Sequence, residues 1–290
     1  MERERSGSPR VRALIAIVGI VASACAARST GLPGTGSIQH PTGPNDVVVR
    51  ISSDGGFIGP QILFQRIPGF TLTGDGSVIV PGAETAIYPG QALPAIFVRQ
   101  VSEEGVQAIL RAAFDAGLDD DASYMTMTVS DMPTTTFTLA VNGHTYRTRV
   151  YALDATGGER SNGMRPAEQE ARTRLAAFVT HLGQLDQWLP AGSLGAERPF
   201  EGSAARLLVG PYEPDAHLPQ DAKAWPLAAS LTTFGDPYAM GGRCGTVSGD
   251  DWTALRAMAE QANQLTPWTD GGERYSLVFR PLVPGDPEGC

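Results

Sequence analysis

Apolar residues recur along this chain with two periods, and the places where the period changes lay out its elements. Alternation dominates Thr134 to Leu153, TTTFTLAVNGHTYRTRVYAL. Asn142-Gly143 interrupts it, and that pair suits a type I′ turn, in which both central residues have positive φ. The spacing predicts a hairpin with Val141 opposite His144, Leu139 opposite Tyr146 and Phe137 opposite Thr148. Phe137, Leu139, Val141, Tyr146 and Val150 then share the buried face. A second hairpin is expected over Phe70 to Val80, FTLTGDGSVIV, turning at Asp75-Gly76. A two-residue turn there sets Leu72 opposite Ile79, with Phe70 on the same face and Thr71 and Thr73 on the other. Short β-rich runs predict strands at Asp46–Ser52, Gln61–Gln65, Tyr124–Val129, Ala204–Gly210 and Tyr275–Arg280.

The period lengthens to 3.6 in three places. Ser102 caps a helix with Glu103 and Glu104 at the positive end of its dipole, an apolar stripe of Val106, Ile109, Leu110, Ala113 and Phe114, and a stop at Gly117. Pro166 opens a second helix to Trp188, with Leu175, Phe178, Val179, Leu182 and Leu185 in register. Ser248 or Asp250 caps a third to about Asn263, with Trp252, Leu255, Met258 and Ala259 inward. The first and third helices align: Val101-Ser102 with Val247-Ser248, Ile109 with Leu255, Ala113 with Ala259, Ala116 with Ala262, Gly117 with Asn263. The expected fold is therefore α+β, with antiparallel hairpins, packed helices and two related subdomains. Residues 47–188 form the first and 203–290 the second. The Pro/Gly-rich stretch 189–202 is the linker between them.

The N-terminus breaks both periods. A basic lead (Arg3, Arg5, Arg10, Arg12 against Glu2 and Glu4) precedes an apolar run from Ala13 to Val21 and then small residues. The run is shorter than the roughly 20 residues that span a bilayer, so residues 1–24 read as an export signal. Ala22-Ser23-Ala24-Cys25 admits two outcomes: ordinary cleavage of an A-x-A site, releasing a free protein, or lipidation at Cys25. In the lipoprotein pattern Leu is usual where Ala22 stands. The cysteine count favours lipidation. Three cysteines leave one odd thiol in an oxidising compartment. A fatty-acylated Cys25, carrying palmitate or a similar chain, leaves Cys244 and Cys290 to pair as a structural bond. Residues 25–46 then form the anchor and a Gly/Pro/Ser/Thr-rich tether expected to be disordered. Membrane lipid is the expected partner through that terminus.

Composition narrows the function. The net charge is −9, and the basic lead makes the remainder more negative still. An acidic body argues against nucleic acid as a partner. Lys223 is the only lysine among 22 basic residues, and Ala and Gly abound, as expected from a GC-rich genome. No G-x-S-x-G elbow, S-x-x-K, H-E-x-x-H, P-loop or G-x-G-x-x-G occurs, and no cofactor is implied. Asp119-Asp120-Asp121 lacks the offsets of a Ca²⁺ loop and reads as a solvated acidic turn. Asp215, His217 and Asp221 are weak metal candidates in an irregular stretch, without a second His or a Cys. Tyr88, Tyr212, Trp225 and Tyr238 sit in Pro/Gly-rich loops and are the candidate binding aromatics.

FTLTGDGSVI, the VSEEGVQAILRAAFDAGL helix, the Thr134–Leu153 hairpin and the tail from RCGTVSGDDW to PEGC together resemble uncharacterised exported lipoproteins of GC-rich Gram-positive bacteria. The likeness covers most of residues 45–290. It implies export and a lipid anchor, and no particular activity. The leading expectation is a cell-envelope lipoprotein with a binding or structural role toward some envelope ligand. The alternative is an extracytoplasmic hydrolase with dispersed catalytic residues.

Overall fold

The computed structural model describes residues 36–126, 129–155, 164–239, 241–287 and 289–290. The signal segment, Cys25 and the first part of the tether lie outside the described residues. Residues 37–290 form one compact unit. It is an α+β fold of two mixed sheets, one from each half of the chain.

The first sheet runs β5-β7-β6-β1-β2-β3-β4-β8. Its strands are β1 (Val47–Gly55), β2 (Phe70–Thr73), β3 (Ser77–Pro81), β4 (Ile96–Gln100), β5 (Ala122–Tyr124), β6 (Pro133–Val141), β7 (His144–Tyr151) and β8 (Arg198–Pro199). The second runs β10-β13-β14-β9-β12-β11. It contains β9 (Ala204–Pro211), β10 (Lys223–Ala224), β11 (Asp236–Pro237), β12 (Arg243–Ser248), β13 (Trp268–Asp270) and β14 (Glu273–Pro281). Pairing is antiparallel except at the edges, where β5 lies parallel to β7 and β10 parallel to β13.

The long hairpin forms in the predicted register, Val141 opposite His144 and Phe137 opposite Thr148. Asn142 and Gly143 take φ of 52° and 74°. The first hairpin differs by one residue: Leu72 faces Val78, and Thr71 faces Ile79. The cause is a three-residue loop in place of two. The Gly76 amide donates to the Thr73 carbonyl, and the Asp75 carboxylate accepts from the Thr73 hydroxyl at 2.6 Å and the Ser77 amide at 3.1 Å. Gly76, at φ 82°, supplies the left-handed residue of such a loop. The slip puts Val78 beside Leu72 and Phe70 in the first core and turns Ile79 to the opposite face. Thr71 and Thr73 are buried.

The capped helix is α2 (Glu103–Asp115), with the Ser102 hydroxyl accepting from the Gly105 amide. Its end is a Schellman motif: the Leu118 amide donates to the Ala113 carbonyl and the Gly117 amide to that of Phe114. α2 and α3 (Pro166–Leu182) cover one face of the first sheet and close a core around Leu72, Ile109, Leu110, Phe137, Leu139 and Leu175. The predicted second helix breaks at Gly183-Gln184, and Leu185–Trp188 forms a separate turn, α4. Helix α5 (Gly249–Ala259) covers one face of the second sheet, around Leu207, Trp252, Leu255, Trp268 and Phe279. The helix alignment read from sequence persists in burial: Ile109 and Leu255, Ala113 and Ala259, Ala116 and Ala262 are buried pair by pair.

Four segments behave otherwise than their sequence predicts. Of the strand expected over Tyr124–Val129 only Tyr124 is in a strand, at the end of β5, and residues 127–128 lie outside the described residues. Gln61–Gln65 is not a strand; it belongs to a short helix, α1 (Pro60–Gln65), opened by Pro60. Residues 189–202 do more than link the halves: the Gly195 amide donates to Gln100, that of Phe200 to Ile96, and β8 pairs with β4. The end of the predicted tether is docked. The buried Gln107 side chain donates to the Ile38 carbonyl and accepts from its amide, both at 2.8 Å, and the Asn142 amide donates to Gln39.

Gly76→Ala and Gly143→Ala separate conformation from packing. Both sites have positive φ, but a Cβ at 76 would lie 2.3 Å from the Val101 carbonyl oxygen, whereas one at 143 meets nothing within 4 Å. Gly143→Ala should cost about 1 kcal/mol, and Gly76→Ala roughly 3 kcal/mol or more. Urea unfolding of both variants measures this; equal costs would refute the packing argument.

Candidate functional site

Strands β9 and β14 sort their residues by alternation. Ala205, Leu207, Val209, Leu277 and Phe279 point under α5 into the second core. Arg206, Leu208 and Gly210, with Ser276, Val278 and Arg280, point the other way. Among the described residues, no helix as long as α5 covers that outward face. What lies across it is α1, carried over from the first half. The Gln65 side-chain amide donates to the Phe279 carbonyl, and Phe64 packs edge-on against Tyr238 at 6.0 Å. α1 thereby leaves a cleft on each side.

The larger cleft, about 780 Å³, is lined by Pro60, Ile62, Leu208, Tyr212, Leu265 and Val278, with Gly59, Gly210, Gly241 and Gly242 keeping side chains out of it. Its volume falls in the range of small-molecule sites. Ile62 at its edge is 63 % exposed. Exposed apolar residues grouped at a concavity mark a binding surface more often than single ones do.

The smaller cleft, about 400 Å³, lies where the outward face of the second sheet meets the back of the first. Four guanidiniums line it, Arg50, Arg66, Arg206 and Arg280, with Ser52, Tyr238 and Asp286. Asp286, nearly sealed from solvent, is its centre. Arg280 donates to both its carboxylate oxygens, at 2.6 and 2.9 Å, and Arg50 donates to one. The Val283 amide adds a bond at 2.9 Å. Burial alone would push the Asp286 carboxyl upward; the Arg280 hydrogen bond and charge, the Val283 amide and the Arg50 charge outweigh it and hold the pKa below the usual carboxylate value. Arg206 donates to the Pro287 carbonyl at 2.7 Å, while its Nε is shut off from water without an acceptor. Such a group costs about 1–3 kcal/mol. Burial and then the neighbouring charge of Arg280 push its pKa down. Arg66 bonds the Ser53 and Gly55 carbonyls.

The disulfide closes this seam. Cys244 and Cys290 are bonded, with Cα atoms 6.1 Å apart, across a loop of 46 residues. Chain entropy assigns such a crosslink about 4 kcal/mol. Cys290 itself lines the smaller cleft.

The sequence candidates separate. Tyr212 lines the larger cleft and Tyr238 the smaller. Tyr88 projects from a loop beside Ile87, both 63 % exposed, away from either cleft. Trp225 is a core residue: its ring packs against Phe234 and Trp268, and its indole N–H donates to the Ala229 carbonyl. Asp215 is spent on a local turn, accepting from the backbone amide of His217 at 2.8 Å. Asp215, His217 and Asp221 form no metal-binding group, and no group of three His, Cys, Asp or Glu among the described residues does. No helix among the described residues is long and apolar enough to cross a membrane. Cys25 lies outside the described residues.

The arginine seam was not anticipated, because its members are spread from position 50 to 286. One signal was present. In VVVRIS, AARLLVG and SLVFRP a single arginine interrupts an apolar strand, and an arginine there needs a buried partner. Comparison with protein-family models, with curated proteins and with solved structures gives no match, so the site's chemistry rests on its own geometry.

Asp286→Asn should cost about 3–5 kcal/mol, because it leaves Arg50 and Arg280 buried against a neutral group. The pH dependence follows from the lowered pKa. The wild type keeps this stabilisation above the unfolded value near 3.9 and loses it as pH falls through the lower folded value. The variant should lack that acid-side loss. Urea midpoints at pH 7 and across pH 2–5 test both; an unchanged acid limb in the variant would contradict the assignment.

Proposed function

We propose that this chain is an exported, lipid-anchored protein of the cell envelope that binds a small apolar ligand on the outward face of its second sheet. One observation carries the binding role: the cleft of about 780 Å³ between α1 and β9–β14, mainly apolar, with Gln61, Glu213, Gln264 and Ser276 as its polar lining and Ile62 exposed at its edge. Its position supports the reading as well. A sheet face left open by its own helix and bordered by a helix from the other half is a concavity between layers, where ligand sites gather. Export and anchoring are supported by the sequence of residues 10–26 and by the Cys244–Cys290 bond, which suits an oxidising compartment. The hydrolase reading gains nothing from Asp215, His217 and Asp221.

Nile red, a neutral apolar fluorophore, tests the cleft. The wild type should enhance its fluorescence saturably. Ile62→Asp and Val278→Asp should each weaken binding at least tenfold, while Val179→Asp, an exposed apolar site on α3, should not. Equal affinity in all four proteins would reject the cleft.

For the anchor, cells expressing wild type or Cys25→Ser are labelled with a fatty-acid probe. Label should appear only in the wild type, which should partition with membranes. Equal labelling, or none in either, would reject lipidation.

A further inference from the structure

The arginine seam holds more positive charge than its structural task requires. Fastening the tail to the first sheet takes Asp286 between Arg50 and Arg280. Among the described residues Arg206 and Arg66 make no ion pair, yet both line the same cleft. Their shown partners are neutral carbonyls: Pro287 for Arg206, Ser53 and Gly55 for Arg66. Among the described lining side chains, four guanidiniums stand with the carboxylates of Asp54 and Asp286. Arg206 bears the cost, since part of its guanidinium is buried without an acceptor. Guanidinium forks with hydroxyls beside them, here Ser52 and Tyr238, are the donor set that recognises tetrahedral oxyanions.

We propose that the cleft bounded by Arg50, Arg66, Arg206 and Arg280 is a binding site for a phosphate dianion, free or as a terminal phosphomonoester. Phosphate oxygens accept from several such forks at once. The site is independent of whatever fills the apolar cleft on the other side of α1. Arg50 and Arg280 set the floor through Asp286, while Arg66 and Arg206 supply the free charge.

Isothermal titration at pH 7.5 and constant ionic strength, with inorganic phosphate as probe, tests this on the full mature chain. Binding in the millimolar range or tighter is expected, weakened at least tenfold in Arg66→Met and in Arg206→Met. Arg66→Met removes only bonds to one part-buried and one exposed carbonyl, and its urea midpoint should stay near that of the wild type, which separates lost binding from lost folding. Glycerol phosphate and vesicles containing phosphatidic acid distinguish the source: stronger binding to the vesicles than to free phosphate assigns the site to a lipid monoester, the reverse to a soluble one. Glu288→Gln removes the carboxylate that follows Pro287 in the sequence and lies outside the described residues. No change in phosphate affinity is expected; a tenfold gain would mean the chain supplies its own anion and would overturn the proposal. So would the absence of binding to all three probes, or binding that survives both arginine substitutions.

Discussion

The carboxylate of Asp286, held between Arg280 of its own sheet and Arg50 of the first strand, is the contact on which the joining of the two halves depends. It does not act alone. Val283, three residues earlier, is buried against Ile79, Ile96 and Val98 on the back of the first sheet. Cys290, four residues later, is bonded to Cys244. An apolar plug, an ion pair and a covalent bond thus fasten one short tail to two sheets. Gly285 between them takes φ 82°, and a Cβ there would lie 2.7 Å from Val47 and 2.9 Å from the Arg50 guanidinium. The tail passes so close to the first strand that a side chain at this position would separate Arg50 from Asp286.

That fastening explains why the chain forms one unit although it has two cores. Each sheet is covered on one face by its own helices, α2 and α3 or α5, and that leaves two back faces to satisfy. The first sheet's is closed by the tail, Ile67 and Phe200. The second sheet's is only crossed by α1. Exchange runs in the other direction too: Ala92, from the long loop after β3, belongs to the second core, its amide donating to Ala262. Both clefts are consequences of incomplete closure, one floored by the apolar outward residues of β9 and β14, the other by their arginines.

Local chemistry was legible in the sequence and crossing contacts were not. Asn142-Gly143 fixed its hairpin register because that pair selects one turn and the turn sets every partner. Gly74-Asp75-Gly76 did not, because the two glycines allow a two- or a three-residue loop, and the Asp75 hydrogen bonds that choose between them depend on Thr73 and Ser77. Ile62-Leu63-Phe64 reads equally as a buried strand or a short helix, and only Pro60 and the second sheet decide. Strand β12, RCGTVS, has only Thr246 and Val247 as β-branched residues and no alternation strong enough to announce it. Of the candidate aromatics, Tyr212 and Tyr238 were placed at clefts and Trp225 was not, since a loop's composition does not say whether its ring points out or under. The odd thiol was the exception: counting three cysteines paired Cys244 with Cys290 without any geometry.

Net charge misleads in the same way. A chain of −9 argues against polyanions that read a whole surface, because their affinity sums over many phosphates. It says little about one small anion. Screening confines charge effects to about 8–10 Å in ordinary salt, and the seam lines one cleft with four guanidiniums drawn from strands and a loop far apart in sequence. Partial burial strengthens their field relative to surface charges, which water and salt weaken. A positive site in an acidic protein is therefore a matter of distribution. The fold creates it by placing single arginines on the outward positions of β1, β9 and β14 and bringing those positions together around one carboxylate.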